Sequence, residues 1–332
     1  MSKKATTKKK VIHRGAFWVG FDLGGTKMMA CVLDANYKVL GCARKSTQSG
    51  SALKGMKRIS NTIVEAMEQA GVMPEKLKGI GIACPGTVNS DTGLLINAPN
   101  LGWHRTHVGN ILKKAFHCPV AVLNDVDAGT FGEYSMGAAR GSRSVLGVFP
   151  GTGLGAGFVY DGKLVQGRGV SCMELGMIRL PGTHLGSSIP GTVLFEDLTS
   201  RLGIASAASV ECVRGNAPQL DAKTRASLRE MKSKALSASF RSGDDSTVTI
   251  FGNSLRYLGM GIGIVVNLLA PDHITLGGGL VEEMPKLYLQ TLRDEVQTFA
   301  VPEIFQGIKF SIAQLGGNAV AIGAVAWLKG QQ

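Results

Sequence analysis

"GTGLGAGFVYDGKLVQG", residues 151–167, contains the pattern G-x-G-x-x-A at Gly151, Gly153 and Ala156. Glu174 follows about twenty residues on, the spacing of a dinucleotide-binding fingerprint. That fingerprint needs a helix directly after its glycines, to aim the helix N-terminus at a pyrophosphate. Here "FVYDGKLV" follows instead, a strand and an Asp-Gly turn. The glycines therefore read as a phosphate loop between antiparallel strands, and a nicotinamide or flavin fold is disfavoured.

Upstream of this loop runs another strand, "SVLGVFP" (144–150), and about 130 residues earlier the same pattern occurs. "AFWVGFDL" (16–23) leads through a turn at Gly24 and Gly25 into "KMMACVLD" (27–34), then through "DAN" into "YKVLGCA" (37–43). The distance from the glycine turn to the next turn aspartate, Asp34 or Asp161, is nearly equal in both copies, which predicts an internally duplicated fold.

Between the copies, Leu53, Met56, Ile59, Ile63 and Met67 fall at helical spacing with Gly71 as the stop. The buried-type strand "GIGIAC" then meets a turn at Pro85 and Gly86, and "PVAVLND" ends at Asn124 and Asp125 and feeds a helix. Leu255, Leu258, Ile262, Val265, Val266 and Leu269 mark a long buried helix before the strand "HITL" and the turn "GGGL". The final helix, "NAVAIGAVAWLKG", is apolar nearly all round and must be packed, across the junction of the two halves by expectation. Strands and helices alternate in both halves, an α/β arrangement with ligands expected where strands end.

With 44% apolar and 18% charged residues, the 332-residue chain can form a large core unaided. Six cysteines stand far apart (31, 42, 84, 118, 172, 212), with no Cys-x-x-Cys pair, which predicts a reduced cytoplasmic protein without a thiolate zinc site. Five of the +12 charges come from Lys3, Lys4, Lys8, Lys9 and Lys10, so residues 1–14 read as a solvated, disordered basic tail. His13, Arg14 and Asp22 break the following apolar stretch, so no signal peptide is expected. No run reaches the roughly eighteen apolar residues of a membrane span.

Three glycine turns and one carboxylate carry the candidate chemistry. In "GFDLGGTK", Gly24 and Gly25 let backbone approach a phosphate, Thr26 and Lys27 add a hydroxyl and a cation, and Asp22 can hold magnesium through water. A hairpin with a structural aspartate would read the same. Gly151, Thr152 and Gly153 form the second loop; Gly277, Gly278 and Gly279 follow a strand where a nucleotide base or ribose could lie. Asp125, behind an apolar strand and beside Asn124, suits a general base, with Asp127 the better candidate for capping the helix. In "CMELGM" (172–177), Glu174 is a lone carboxylate among apolar residues and should hold a ligand.

In this order the elements resemble the ROK family of bacterial sugar kinases and sugar-responsive repressors, within the actin, hexokinase and Hsp70 superfamily. "GFDLGGTK" is similar to its first phosphate motif and "GIACPGTVNSDTGLLINAPNLGW" to its sugar-contacting segment. "LND", "PGTGLGAG" and "ITLGGGL" match its catalytic pair, second phosphate motif and adenosine motif. The resemblance implies a two-lobed, actin-like ATPase fold, a duplicated ribonuclease-H-like α/β fold with an interlobe active-site cleft. Lobes are expected at 15–121 and 122–316, with 317–332 packing back across them. It implies a homodimer and transfer of the γ-phosphoryl of ATP, with Mg2+, to a hexose, most often glucose at O6, with Asp125 as base. Gly86, Asn100, Asn124, Asp125, Glu174 and Glu196 would then contact the sugar. N-acetylhexosamines, fructose, a polyphosphate donor or a catalytically silent sugar-binding protein are the alternatives. The family's repressors carry a DNA-binding domain ahead of the kinase-like part, and fewer than twenty residues stand there in this chain, so a repressor is disfavoured and nucleic acid is not expected as a partner; with no apolar run of spanning length, neither is membrane.

The pattern breaks after Glu174. The family reads Glu-x-Gly-His and then a cysteine-rich zinc loop. Here Met177 stands in the histidine position and "HLGSSIPGTVL" replaces the loop, so no zinc is expected and His184 does not change that. Thr192 is a candidate N-cap for a helix through Leu194, Leu198 and Leu202 that would carry Glu196 and replace the metal by packing.

Overall fold

The two glycine-turn repeats fold as the same sheet twice. In this computed structural model, residues 15–331 are described, apart from 49, 185, 221–226 and 229; the basic tail lies outside the described residues. The chain runs β1 (Phe17–Leu23), β2 (Lys27–Leu33), β3 (Val39–Ser46), α1 (Ala52–Ala70), β4 (Leu77–Cys84), β5 (Thr87–Asn89), β6 (Leu94–Ala98), β7 (Trp103–Thr106), α2 (Val108–Phe116) and β8 (Val120–Asn124). It continues through α3 (Asp125–Met136), β9 (Ser144–Pro150), β10 (Leu154–Tyr160), β11 (Lys163–Leu164), β12 (Arg179–Pro181), β13 (Thr192–Leu194), α4 (Phe195–Thr199) and α5 (Arg201–Val213). After the described residues resume come α6 (Ser233–Arg241), α7 (Asp245–Leu269), β14 (His273–Leu276), α8 (Gly279–Glu283), α9 (Pro285–Phe299), α10 (Pro302–Phe305), β15 (Lys309–Ile312) and α11 (Ala319–Gly330).

One sheet has the order β3-β2-β1-β4-β8 and the other β11-β10-β9-β14-β15. Each is an antiparallel meander extended on one side by two parallel strands. The chain divides into two compact units: one up to Gly132 with 166–171 and 317–332, the other 133–165 with 172–316. The crossing falls inside α3, not ahead of β8 at 121/122, and the last helix clusters with the first unit.

In the first unit Met56, Ile59, Ile63 and Met67 of α1 are buried as their spacing predicts. Gly71 ends the helix at φ 63°, and the N–H groups of Gly71 and Val72 close back on Glu68 and Met67. Leu53 departs from the expectation and is 81% exposed, because the first turn of α1 meets the Trp103 indole through Gly55 instead. Helix α11 lies directly on β1 and β4. A Cβ on Gly20 would collide with the Ala321 carbonyl and one on Gly81 with the Ala324 carbonyl, so only glycine admits this approach.

The meander also overturns the expectation that every cysteine is reduced. Cys31 and Cys42 stand directly opposite on β2 and β3 and form a disulfide; Cys84, Cys118, Cys172 and Cys212 take no part in it. Sequence separation hid this pair, because register rather than distance along the chain brings the two sulfurs together.

The second unit is built around α7, whose Leu255, Leu258, Ile262, Val265 and Val266 are buried with Phe195, Phe251 and Tyr288. Leu269, expected on that face, closes the helix and is 38% exposed. Among the described residues α7 is the one helix long and apolar enough, by length and composition, to cross a membrane; its packing is that of a core helix.

Candidate active site

In the first unit, three parallel strands end side by side. Asp22 lies near the end of β1, Cys84 closes β4, and Asn124, paired with Cys84, closes β8. Asp125 is the first residue of α3. The Asn124 side chain caps that helix: Oδ1 accepts the N–H groups of Val126 (2.8 Å) and Asp127 (3.2 Å), and Nδ2 donates to the Gly86 carbonyl (3.0 Å). Asp127 is therefore not the cap. It is buried and accepts from Gln166 Nε2 at 3.2 Å, because α3 starts three residues earlier than a cap at Asp127 would require.

Burial raises the Asp125 carboxyl to about 7; the negative charges of Asp22 and Asp127 add to the rise and the Val126 N–H opposes it. Burial likewise raises Asp22 to about 6. The Cys84 thiol is pushed up by burial and then by Asp125 and Asp22, so both carboxylates act on one buried spot. Two mutually repelling carboxylates at strand ends are hard oxygen donors, and they fit a hydrated magnesium ion.

The first glycine loop is a tight turn. Gly24 N–H donates to the Lys27 carbonyl (2.9 Å), and Thr47 ties the turn down from outside through its hydroxyl to the Gly24 carbonyl (2.7 Å) and its N–H to the Thr26 carbonyl (2.8 Å). Gly25, Thr26 and Lys27 are exposed, and a Cβ on Gly25 would lie 3.6 Å from Asn100 Cβ. Gly86 turns at φ 82°. The structure thus gathers Asp22, Gly24, Gly25, Thr26, Lys27, Gly86, Asn100, Asn124 and Asp125 on the first unit.

The second unit gathers the others. The parallel pairing of β9 with β14 sets Leu276 opposite Val148, and Gly277 N–H donates to the Val148 carbonyl at 3.0 Å. Gly278, at φ 88°, packs against the Pro150 backbone, so Gly277–Gly279 and Gly151–Gly153 leave neighbouring strand ends together. Glu196, on α4, accepts from Leu154 N–H at 3.3 Å, which puts it directly against the second glycine loop. Burial raises its carboxyl; Leu154 N–H opposes the rise, and the charges of Asp197 and Glu174 add to it. The Glu174 carboxyl is raised by burial too, and the two glutamates are near enough to repel.

Sequence reasoning missed Arg201. Its N–H donates to the Gly151 carbonyl (2.9 Å) and its guanidinium to Thr152 Oγ1 (3.3 Å) and the Met231 carbonyl (3.2 Å), adding a cation to the second loop. The helix expected from Thr192 begins later. Thr192 and Leu194 lie in β13, helix α4 starts at Phe195, and Ser200 interrupts it and caps α5 by accepting from Gly203 N–H. Phe195, 1% exposed, is the apolar anchor, while Leu202 is 47% exposed. Met177 is also exposed, and among the described residues no three His, Cys, Asp or Glu side chains gather as a metal-binding group. Zinc prefers thiolates and imidazoles, and the segment 177–192 after Glu174 offers it a thioether, hydroxyls and one histidine.

A family model described as "ROK family" matches residues 18–331. The chain belongs to the ROK family. A ROK family glucokinase from Streptomyces griseus, solved in complex with glucose and AMPPNP, matches with a TM-score of 0.80 and 28% identity over 95% of this chain and 100% of that one. A glucokinase of Halalkalibacterium halodurans is 29% identical over 323 residues, 95% of this chain and 96% of the relative. A xylose repressor of Bacillus spizizenii is 23% identical, and the match spans 93% of this chain and 76% of the repressor. ROK proteins similar to this one thus include both kinases and repressors, and its fold is the duplicated α/β, actin-like ATPase fold.

Proposed function

We propose that this chain is an ATP-dependent hexose kinase with glucose as its first substrate. The observation that carries the reading is the Asp125 carboxyl, raised to about 7 beside Asp22 at the ends of β1, β4 and β8. A general base is most effective when its pKa lies near the working pH.

Asp125 takes the proton of the sugar O6 hydroxyl as O6 attacks the γ-phosphorus and the bond to the β–γ bridging oxygen breaks, releasing ADP. Asn124 holds the start of α3, and so Asp125, against the Gly86 turn. Gly86 and Asn100 border the sugar, and Glu174 and Glu196 accept hydroxyls near C1 and C2. Gly24–Lys27 and Gly151–Gly153 approach the phosphates by backbone, Arg201 adds positive charge, and Gly277–Gly279 borders the adenosine. When bound, magnesium neutralises charge on the β- and γ-phosphate oxygens, with Asp22 holding it through water. Most of the catalytic effect then comes from positioning and charge stabilisation. The cytoplasm, which supplies ATP, is the expected compartment, and a homodimer the expected assembly.

Identity to the glucokinases supports this reading. Met177 leaves the choice of hexose wider than glucose, with N-acetylhexosamines and fructose next. A coupled ADP-release assay over a panel of sugars, with Asp125→Asn as control, tests it. Sugar-stimulated ADP release above that control is expected; its absence for every sugar would leave a silent sugar-binding protein.

A further inference from the structure

Glu174 and Glu196 are 22 positions apart, yet a short hairpin delivers both. β12 pairs with β13 in the register Arg179↔Leu194, Leu180↔Val193, Pro181↔Thr192. Glu174 lies one short turn before β12, with Met177 N–H donating to its carbonyl at 3.0 Å. Glu196 lies two residues after β13, and Phe195 N–H crosses to the Ile178 carbonyl at 2.8 Å. Whatever holds this hairpin together fixes the separation of two carboxylates that repel each other.

Three residue pairs are a short ladder, and among the described residues of the connection no helix forms. Its order comes from one guanidinium. Arg179 Nη1 donates to Ser187 Oγ and Thr192 Oγ1, both at 3.3 Å, and Nη2 donates to Ser188 Oγ at 3.0 Å. Ser187 Oγ and Thr192 Oγ1 donate onward to the Ile189 carbonyl, at 2.9 and 2.8 Å. Arginine suits this task because its planar fork presents five fixed donors, whereas a lysine is a single point charge.

We propose that Arg179 is a positioning residue of the hexose site: with Ser187, Ser188 and Thr192 it locks the β12–β13 hairpin and thereby sets Glu174 and Glu196 against the sugar. The proposal rests on the hexose-kinase reading only for what the glutamates touch. It assigns the substrate-side order of this chain to a polar network centred on one cation.

The test compares wild type with Arg179→Ala, Arg179→Lys and the milder pair Ser188→Ala and Thr192→Ala. Hexose KM should rise about tenfold in Arg179→Ala, the loss expected when contacts to a neutral sugar loosen, with ATP KM and the acid limb of the pH profile unchanged. Arg179→Lys should recover only part of the loss, and added guanidinium ion should lower the hexose KM of Arg179→Ala. Hydrogen exchange over 186–196 should accelerate in Arg179→Ala while β9 and β10 keep their protection. Equal hexose KM and unchanged exchange would overturn the proposal, as would a parallel loss in both substrates, which means general unfolding. If the wild-type chain phosphorylates no sugar, the kinase reading falls and exchange over 186–196 alone decides the role of Arg179.

Discussion

Asn124 Nδ2 donates to the Gly86 carbonyl at 3.0 Å while Oδ1 of the same side chain accepts two N–H groups of α3. One carboxamide therefore sets the helix that carries Asp125 and pins it to the turn after β4. Replacing Asn124 with alanine removes its side-chain bonds to the Asp127 N–H and the Gly86 carbonyl, while Val126 N–H keeps Asp125 Oδ1 at 3.0 Å. The expected loss is about 1–2 kcal/mol in urea or thermal unfolding. A drop in kcat larger than the rise in hexose KM should accompany it, because the base moves. Unchanged stability would mean that the cap is replaced by water.

The raised Asp125 carboxyl makes opposite predictions for activity and stability. The base works ionised, so kcat/KM should fall as pH drops through about 7. For stability, the group has an ordinary value of 3.8 and a folded value of about 7. Ionisation thus carries no folding penalty below about 3.8, and the penalty grows as pH rises and is complete above about 7. Asp125→Asn should accordingly raise the melting temperature at pH 8 and not at pH 4, while lowering kcat on the order of 100-fold or more. A variant less stable than wild type at pH 8 would contradict this account of the site.

Arg201→Ala should weaken the donor side alone. With the guanidinium gone from Thr152 Oγ1, ATP KM is expected to rise several-fold to about thirtyfold, the range of one charge-assisted contact, with hexose KM unchanged. Steady-state kinetics varying each substrate in turn give the answer. An effect confined to the hexose would place Arg201 outside nucleotide binding.

The Cys31–Cys42 bond closes a loop with a sequence separation of 11, a crosslink worth about 2–3 kcal/mol by chain entropy. In denatured, unreduced protein four thiols should react with a thiol reagent, those of Cys84, Cys118, Cys172 and Cys212; after reduction six should. Reduction should also lower the melting temperature. Six reactive thiols without reductant would show that the pair is open in the purified protein.

The duplicated glycine turns, the strand after Gly153 where a helix would have signalled a dinucleotide, and the apolar strands ending at Asp22 and Asn124 were legible because each is a local pattern of period and punctuation. The candidate residues Gly24–Lys27, Gly151–Gly153 and Asp125 could be named at that level because they lie on single short motifs. Asp127 as cap, Leu53 in the core and a helix from Thr192 misread the chain for one physical reason. In each case a contact distant in sequence outweighed local preference: Asn124 with Gly86, Gly55 with Trp103, Arg179 with three hydroxyls. By itself the sequence determined the fold class and the residue types at the strand ends, because periodicity and glycine placement are properties of a few neighbouring residues. Only the tertiary structure decided the Cys31–Cys42 pair, the burial that raises Asp22 and Asp125, and the Arg179 network, because each depends on side chains brought together by the packing of strands far apart in the chain.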